Sequence, residues 1–366
     1  MDPFNTIAIV GLGLMGGSLA MALKRKTPNI QIFGVDDDPI LKEAISFDAI
    51  DKGFSKSELK NCIKQTHLVF LCTPISEILA SLPIVSEAIQ PGTLVTDVGS
   101  TKREIVEAAD RYFQKEKYFL GGHPMAGSEG HGIRWADPLL FENAVYVLTP
   151  SQKIPTRLTQ DFGNLIEDIG AKVIFLSPDM HDKIAANVSH LPQILAVTLV
   201  NLMASHQKNF PLYSKLAAGG FRDMTRIVSS PYEIWKDIFQ TNKEEISASI
   251  DEFIEALKTT RKKLQEENLA KDFSEAFRNR LSIPRDTKGF LRPHYDLSVR
   301  VEDRPGVIAS ISNTLSEKSI NIKDIEIIKV RENDLGTLRL SFASQEDRKT
   351  AQELLTQIGY SSRLRD

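Results

Sequence analysis

Cysteine is scarce in this chain: Cys62 and Cys72 are its only two among 366 residues. They cannot build a disulfide framework and stand without the neighbours a metal centre requires, so a reducing compartment and no bound metal are expected. Excess positive charge is also lacking, since 45 Lys and Arg face 48 Asp and Glu for a formal net charge of −3. A general nucleic-acid binder needs a basic surface to displace counterions from phosphates, and that class is excluded. No hydrophobic run reaches the roughly 20 residues that span a bilayer. Residues 1–10 carry no basic segment ahead of their apolar stretch, which leaves no room for a signal peptide. The expectation is a cytoplasmic protein with neither membrane nor nucleic-acid partners. Internal repeats and low-complexity tracts are absent too, and at about 150 residues per domain the length suggests two or three domains.

What is present changes character along the chain. From residue 6 to about 176, short β-branched runs at 7–10, 32–35, 68–72, 94–97, 118–120, 145–148 and 173–176 alternate with helical stretches. Such alternation marks a doubly wound α/β sheet, and runs that are continuously apolar suit central strands covered on both faces. Beyond Ser177-Pro178-Asp179, a helix start with proline in its first turn, the pattern is helical to about residue 279. Residues 282–294 mix Pro, Gly and charge without period and read as a linker. From 295 the order strand, helix, strand, strand, helix and a short last strand near 361–364 predicts a small α+β ferredoxin-like unit. The expected division is therefore a Rossmann-type domain at 1–176, an all-α domain at 177–281, the linker at 282–294 and a terminal module at 295–366.

The first strand runs into Gly11-Leu12-Gly13-Leu14-Met15-Gly16 and then into a helix of small apolar residues. Gly11 permits a tight turn, Gly13 lets the backbone approach a pyrophosphate, and Gly16 allows the helix to pack closely. Asp36 closes the next strand twenty residues after Gly16, where its carboxylate can accept from an adenosine ribose and repel a 2′-phosphate. NAD is thus expected rather than NADP, with Lys24 and Arg25 on the preceding helix weakening the preference little. Two further strand ends, Thr73-Pro74 and Val98-Gly99-Ser100, point at the same crevice. Next comes Gly121-Gly122-His123-Pro124-Met125-Ala126-Gly127-Ser128-Glu129. His123 ends a strand between glycines that would admit a ligand, and an imidazole titrating near neutrality suits general-base work. His190 precedes Pro192 in a helical segment, where it could simply satisfy backbone groups freed by a bend. His131, His181 and His206 are expected to be surface or packing residues.

Taken in order, the glycine turn, Asp97-Val98-Gly99-Ser100-Thr101-Lys102, the His123 segment, Ser189-His190-Leu191-Pro192 and Gly219-Gly220-Phe221-Arg222-Asp223-Met224-Thr225-Arg226 resemble the prephenate dehydrogenase family over about residues 5 to 280. The resemblance implies NAD-dependent oxidative decarboxylation of prephenate to 4-hydroxyphenylpyruvate, the committed step towards tyrosine. It implies that His123 takes the ring-hydroxyl proton, that Ser100 lies between this histidine and the nicotinamide, and that Arg226 grips the ring carboxylate. It also places His190, Ser128, Glu129 and Trp235 around the substrate. Arg222 stands where some relatives have Lys, which keeps the charge and alters the geometry. In relatives the helical domain builds a homodimer.

The terminal module, with Asp303-Arg304-Pro305-Gly306 after its first strand and Ser319-Ile320-Asn321-Ile322 before its second, is similar to an ACT domain. Such modules pair edge to edge and bind an amino acid at the joint; Arg304, Gly306 and Asn321 are the contacts implied, and L-tyrosine, the end product, the effector. Arogenate dehydrogenase, which runs the same chemistry on an amino-bearing substrate, is the alternative, with Glu129 available to an amine. A catalytically silent amino-acid-responsive protein would have no need of His123, Ser100 and Arg226. A β-hydroxyacid dehydrogenase should carry a helical lysine base, for which the sequence has no matching context.

Overall fold

The computed structural model describes residues 3–127, 130–151, 153–207, 210, 212–282, 295–302, 304–329 and 335–365. Contacts divide the chain into two compact units, the first holding the large sheet with all helices up to Ser282 and the second holding residues 295–365.

The large sheet is built from β1 (Thr6–Val10), β2 (Gln31–Val35), β3 (Lys52–Phe54), β4 (Leu68–Leu71), β5 (Leu94–Asp97), β6 (Tyr118–Pro124), β7 (Val145–Thr149) and β8 (Lys172–Phe175). Its order is β3-β2-β1-β4-β5-β6-β7-β8, so the chain reverses its progression at β1 and opens a crevice beyond the carboxyl ends of β1 and β4. Each central strand is buried on both faces. Ile7 and Ile9 enter one apolar cluster with Leu68 and Phe70, while Ala8 and Val10 enter another with Val69 and Leu71. That two-sided burial is why the strands read as continuous apolar runs.

Two features depart from the expected pattern. β3 is an additional edge strand of three residues, Lys52-Gly53-Phe54, with no apolar run to announce it. β7 pairs antiparallel to β6; among the described residues the stretch between them contains only the short turn Ile133–Trp135 and no crossover helix that could return the chain for parallel pairing. The antiparallel return keeps residues 130–144 at the end of the sheet where His123 lies.

The helical part begins at Pro178–Ala185, capped by the Ser177 hydroxyl accepting from the Met180 amide at 3.2 Å. A π-helical turn at Ala186–His190 leads into Leu191–Gln207. Pro192 lacks the amide that would bond four residues back, which accounts for the widened turn immediately before it. The run Pro178–Gln207 contains an 18-residue window that, by length and composition, meets what a bilayer span requires, with a mean hydropathy of 1.3 over that window. That differs from the sequence expectation, yet His181, Asp182, His190 and Gln193 along it are buried against the rest of the unit. Further on, Tyr232–Thr241 and Lys243–Gln265 send Ile238 and Ile246 into the same cluster as β4 and β5. In contrast, Leu202, Phe210, Leu216 and Met224 are exposed, and an apolar groove of about 720 Å³ runs between Leu199, Met203, Tyr213 and Phe221.

The second unit has β9 (Tyr295–Glu302), β10 (Ile322–Lys329), β11 (Leu335–Phe342) and β12 (Ser362–Arg365) in the order β10-β11-β9-β12. Helices Val307–Ser316 and Gln345–Gln357 cover one face through Ile311, Leu315, Ala351 and Leu355. This is the ferredoxin-like βαββαβ arrangement expected from the sequence.

Candidate active site

The turn after β1 is shaped by contacts that only glycine satisfies. Gly11 has φ +90°, and a Cβ at Gly16 would lie 1.9 Å from the Gly11 carbonyl oxygen. At Gly13 a Cβ would meet nothing within 4 Å, so this residue faces open space. The helix that follows, Leu14–Lys26, has no side-chain cap and no acidic residue in its first turn, leaving its leading amides to an anionic ligand. Asp36, nearly buried, accepts from the Leu12 amide and from the Asp37 amide, both at 2.7 Å. These bonds hold the turn and leave further lone pairs on the same carboxylate. Lys24 is engaged by Asp48 and Asp51, and Arg25 by Glu142. The residues present fit a dinucleotide with an unphosphorylated ribose.

A cleft of about 780 Å³ starts at this turn and reaches the helical segments. Gly13, Leu14, Met15, Thr73, Pro74, Ser100, His123, His190 and Trp235 all line it. Gly11, Gly16 and Asp36 build the turn from behind. One wall, helix Tyr232–Thr241, is pinned where Asp237 accepts from the Ser76 amide at 2.8 Å at the start of helix Ile75–Ala88. On that wall Trp235 stacks on Phe239 and meets His190 edge-on at 6.0 Å.

His123 sits on β6 with 9% exposure. Its Nδ1 lies 2.7 Å from His181 Nε2, and His181 Nδ1 lies 2.7 Å from Asp182 Oδ1. Burial works against the Asp182 charge, but bonds from His181 and from the Arg103 and Lys102 amides prevail and hold the carboxyl below its usual range. An ionised carboxylate only accepts, so His181 Nδ1 carries a hydrogen; in the neutral ring its Nε2 then accepts from His123 Nδ1. The His123 Nε2 is left as a lone pair for the cleft. Burial, followed by the proximity of His181, Lys102 and His190, each of which would repel a second positive charge, pushes the His123 pKa well down, which keeps it neutral.

His190 has the opposite tautomer. The Asn242 amide nitrogen donates to the Asp182 carbonyl at 2.9 Å and lies 3.3 Å from His190 Nδ1. That nitrogen is therefore a donor, His190 Nδ1 accepts, and the hydrogen resides on Nε2. Burial lowers the His190 pKa to about 4. The cleft thus holds one neutral imidazole acceptor and one neutral imidazole donor.

Not every expected residue reaches the cleft. Arg222 and Arg226 are exposed, on helix Gly219–Thr225 and the turn Arg226–Ser229. In this chain they do not line the cleft, although Ser230, next after that turn, does. The physical reason is that this segment packs along the exposed apolar groove rather than against the sheet. Ser128 and Glu129 lie outside the described residues. In the second unit Arg304 pairs with Glu302 at 2.7 Å and Gly306 has φ +91° at the head of helix Val307–Ser316. Asn321 is not beside them. Ile322 is level with Phe342 and hence with Tyr295, whereas Glu302 is level with Leu335, so Asn321 and Arg304 lie at opposite ends of the sheet.

His181, expected to be a surface or packing residue, is 2% exposed and partners His123 directly. Asp182, Asn242 and the Lys102 side chain were likewise unanticipated as parts of the site. A signal existed: His181 and Asp182 are one helical turn before Ala185 and Ala186, both buried, so the two polar residues share the inward face. The glycines before His123 also differ in role from the expectation. A Cβ at Gly122 would lie 2.7 Å from the Asp97 carbonyl, so its absence serves packing beneath the strand and not ligand approach.

An open glycine turn and a buried neutral imidazole on one cleft, on a sheet of this order, define a nicotinamide-nucleotide-dependent dehydrogenase. Residues 19–175 match the family model for the prephenate dehydrogenase nucleotide-binding domain, 177–279 that for the prephenate dehydrogenase dimerization domain, and 295–359 the ACT domain. The prephenate dehydrogenase of Bacillus subtilis is 38% identical over 356 residues, covering 96% of this chain and 95% of that protein. The Aquifex aeolicus prephenate dehydrogenase, solved with hydroxyphenyl propionate and NAD+, superposes with a TM-score of 0.71 at 31% identity, covering 76% of this chain and 98% of its own. Synechocystis arogenate dehydrogenase gives 0.68 at 29% identity, over 76% and 100%. The chain belongs to the prephenate dehydrogenase family.

Proposed function

We propose that this protein oxidises prephenate to 4-hydroxyphenylpyruvate and carbon dioxide with NAD, in the cytoplasm, as a homodimer that answers to L-tyrosine. The observation that carries the reading is the His123 imidazole, held neutral with its Nε2 lone pair on the cleft that begins at the dinucleotide turn. NAD, when bound, supplies the hydride acceptor. The glycine turn and Asp36 hold the dinucleotide, and Thr73 and Pro74 flank it. His123 Nε2 takes the proton of the ring hydroxyl as that carbon is oxidised, and the ring carboxylate departs as carbon dioxide while the ring becomes aromatic. Ser100 orients the hydroxyl and the base. His190 offers its Nε2 hydrogen to a substrate oxygen, with Trp235 closing the wall behind it. Arg226, close in sequence to the cleft-lining Ser230, is the cation we assign to the ring carboxylate; Arg222, Ser128 and Glu129 are assigned to the substrate by the family resemblance alone. The apolar groove beside Leu202 and Phe210 is the surface a second protomer covers. Division into domains at 1–176, 177–281 and 295–366, joined by 282–294, goes with this reading, as does tyrosine held by Arg304, Gly306 and Asn321.

The test is absorbance at the NADH band with purified protein, NAD and either prephenate or arogenate, repeated with His123→Asn. NADH from prephenate that drops by on the order of 10²- to 10⁴-fold in the variant supports the proposal. Turnover with arogenate alone reassigns the substrate, and no NADH from either overturns the reading.

A further inference from the structure

We propose that Asp182 is a positioning residue that sets the tautomers of both cleft histidines, through its carboxylate on His181 for His123 and through its backbone carbonyl on Asn242 for His190. The inference rests on the functional reading above in one respect only, that His123 is the base.

Asp182 is wholly buried and spends its acceptors on four groups from three parts of the fold. Oδ1 takes His181 Nδ1 and the Lys102 amide, both at 2.7 Å. Oδ2 takes the Arg103 amide at 3.0 Å, and the carbonyl takes the Asn242 side chain at 2.9 Å. The two amides stand at the start of helix Arg103–Tyr112, directly after Ser100 and Thr101. Every one of these partners is a donor, so the carboxylate cannot be replaced by a group carrying a hydrogen without turning some donor against another.

The consequence runs outward along each branch. On one branch, an acceptor at Asp182 requires a hydrogen on His181 Nδ1, which makes His181 Nε2 an acceptor and keeps the hydrogen of His123 on Nδ1, away from the cleft. On the other, the carbonyl fixes which atom of Asn242 is nitrogen, and Asn242 in turn requires His190 Nδ1 to accept. One residue thereby gives the two imidazoles opposite polarity towards the cleft. A carboxylate that acts through a histidine in this way is known to matter by tautomer: substituting the carboxamide in the serine-hydrolase triad costs on the order of 10⁴ in kcat.

Asp182→Asn and His181→Ala test the proposal. Full-length protein with ¹⁵N-labelled imidazoles reports the tautomer of each ring directly, with His123→Asn and His190→Asn assigning the signals. Wild type is expected to show His123 protonated on Nδ1 and His190 on Nε2. Both variants are expected to lose the pure Nδ1–H form of His123, with kcat falling about 10²-fold or more and KM for NAD moving less than about threefold. Retention of His190 Nε2–H in His181→Ala, where the backbone carbonyl is untouched, separates the two branches and supports the proposal. His123 keeping its tautomer in the variants, or carrying its hydrogen on Nε2 in wild type, overturns it. Should Asp182→Asn fail to fold, His181→Ala decides alone. The spectrum needs no substrate, so a wild type that makes no NADH defeats the functional reading while the tautomers that Asp182 sets are still read directly.

Discussion

Lys102 and Asp97 form an ion pair with no solvent exposure on either side chain, directly beneath the strand that carries His123. The Lys102 ammonium also donates to the Gly122 carbonyl at 2.8 Å, and Asp97 accepts from the Gly99 amide at 2.8 Å and the Gly122 amide at 3.1 Å. Burial lowers the Lys102 pKa, with Asp97 opposing that shift. The pair therefore anchors β6 one residue before His123.

Lys102→Met should destabilise the protein by about 3–5 kcal/mol, because it strands the Asp97 charge in the interior. Replacing both partners by apolar groups is often neutral elsewhere. Here the double variant Lys102→Met with Asp97→Leu should remain destabilised, since the Gly99 and Gly122 amides would lose their acceptor. Urea unfolding of the two variants checks this; a double variant as stable as wild type would refute it.

Gly13 and Gly16 separate binding from folding. Alanine at Gly16 collides with the Gly11 carbonyl, so Gly16→Ala should cost about 1–3 kcal/mol of stability by overpacking and lose NAD with it. Alanine at Gly13 meets no protein atom. Gly13→Ala should therefore unfold like wild type while binding NAD about tenfold more weakly, or about 1.4 kcal/mol. Calorimetric titration of NAD beside a thermal melt distinguishes the two.

The parts of the molecule visible in the sequence are those written in local pattern. Continuous apolar runs announced the buried strands, and the Gly11 to Gly16 turn with Asp36 announced the dinucleotide site. The direction of β7 was not legible, because a strand's apolar pattern is the same whichever way it runs. Nor was the partnership of His181 and Asp182. Adjacent His and Asp residues on a short helix do not announce burial, and here the Lys102 and Arg103 amides, some eighty residues earlier in sequence, arrive to meet Asp182. The inward face shared with Ala185 and Ala186 was the one trace the sequence held. Asn321 illustrates the converse: near Arg304 in sequence, it is carried to the far end of the sheet by helix Val307–Ser316.

Stability should fall on acidification because of His190. Its pKa is about 4 in the folded protein against 6.5 for the ordinary side chain, so between these values the unfolded chain binds the proton and the folded chain does not. The stability is intact above pH 6.5 and is lost as pH falls through 4, by up to about 3 kcal/mol. His190→Gln should flatten that part of the urea midpoint against pH, and a profile as steep as wild type would show that other groups carry it.

A tyrosine bound by Arg304, Gly306 and Asn321 has to lie between two modules. With Tyr295 and Glu302 at the two ends of β9, Asn321 and Arg304 are separated by about 23 Å at the usual strand rise, farther than one amino acid spans. Arg304→Ala and Asn321→Ala should each abolish tyrosine inhibition while leaving NADH formation intact. Coexpressed, the two variants should form mixed dimers of the proposed kind, in which one joint combines both lesions and the other combines the intact Arg304 of one chain with the intact Asn321 of its partner. Inhibition should then return in the mixed dimers at about half the site number, as tyrosine titration measures, on the closed symmetry of a two-fold pair. If the site lay within one module, every module in the mixture would carry a lesion and mixing would restore nothing.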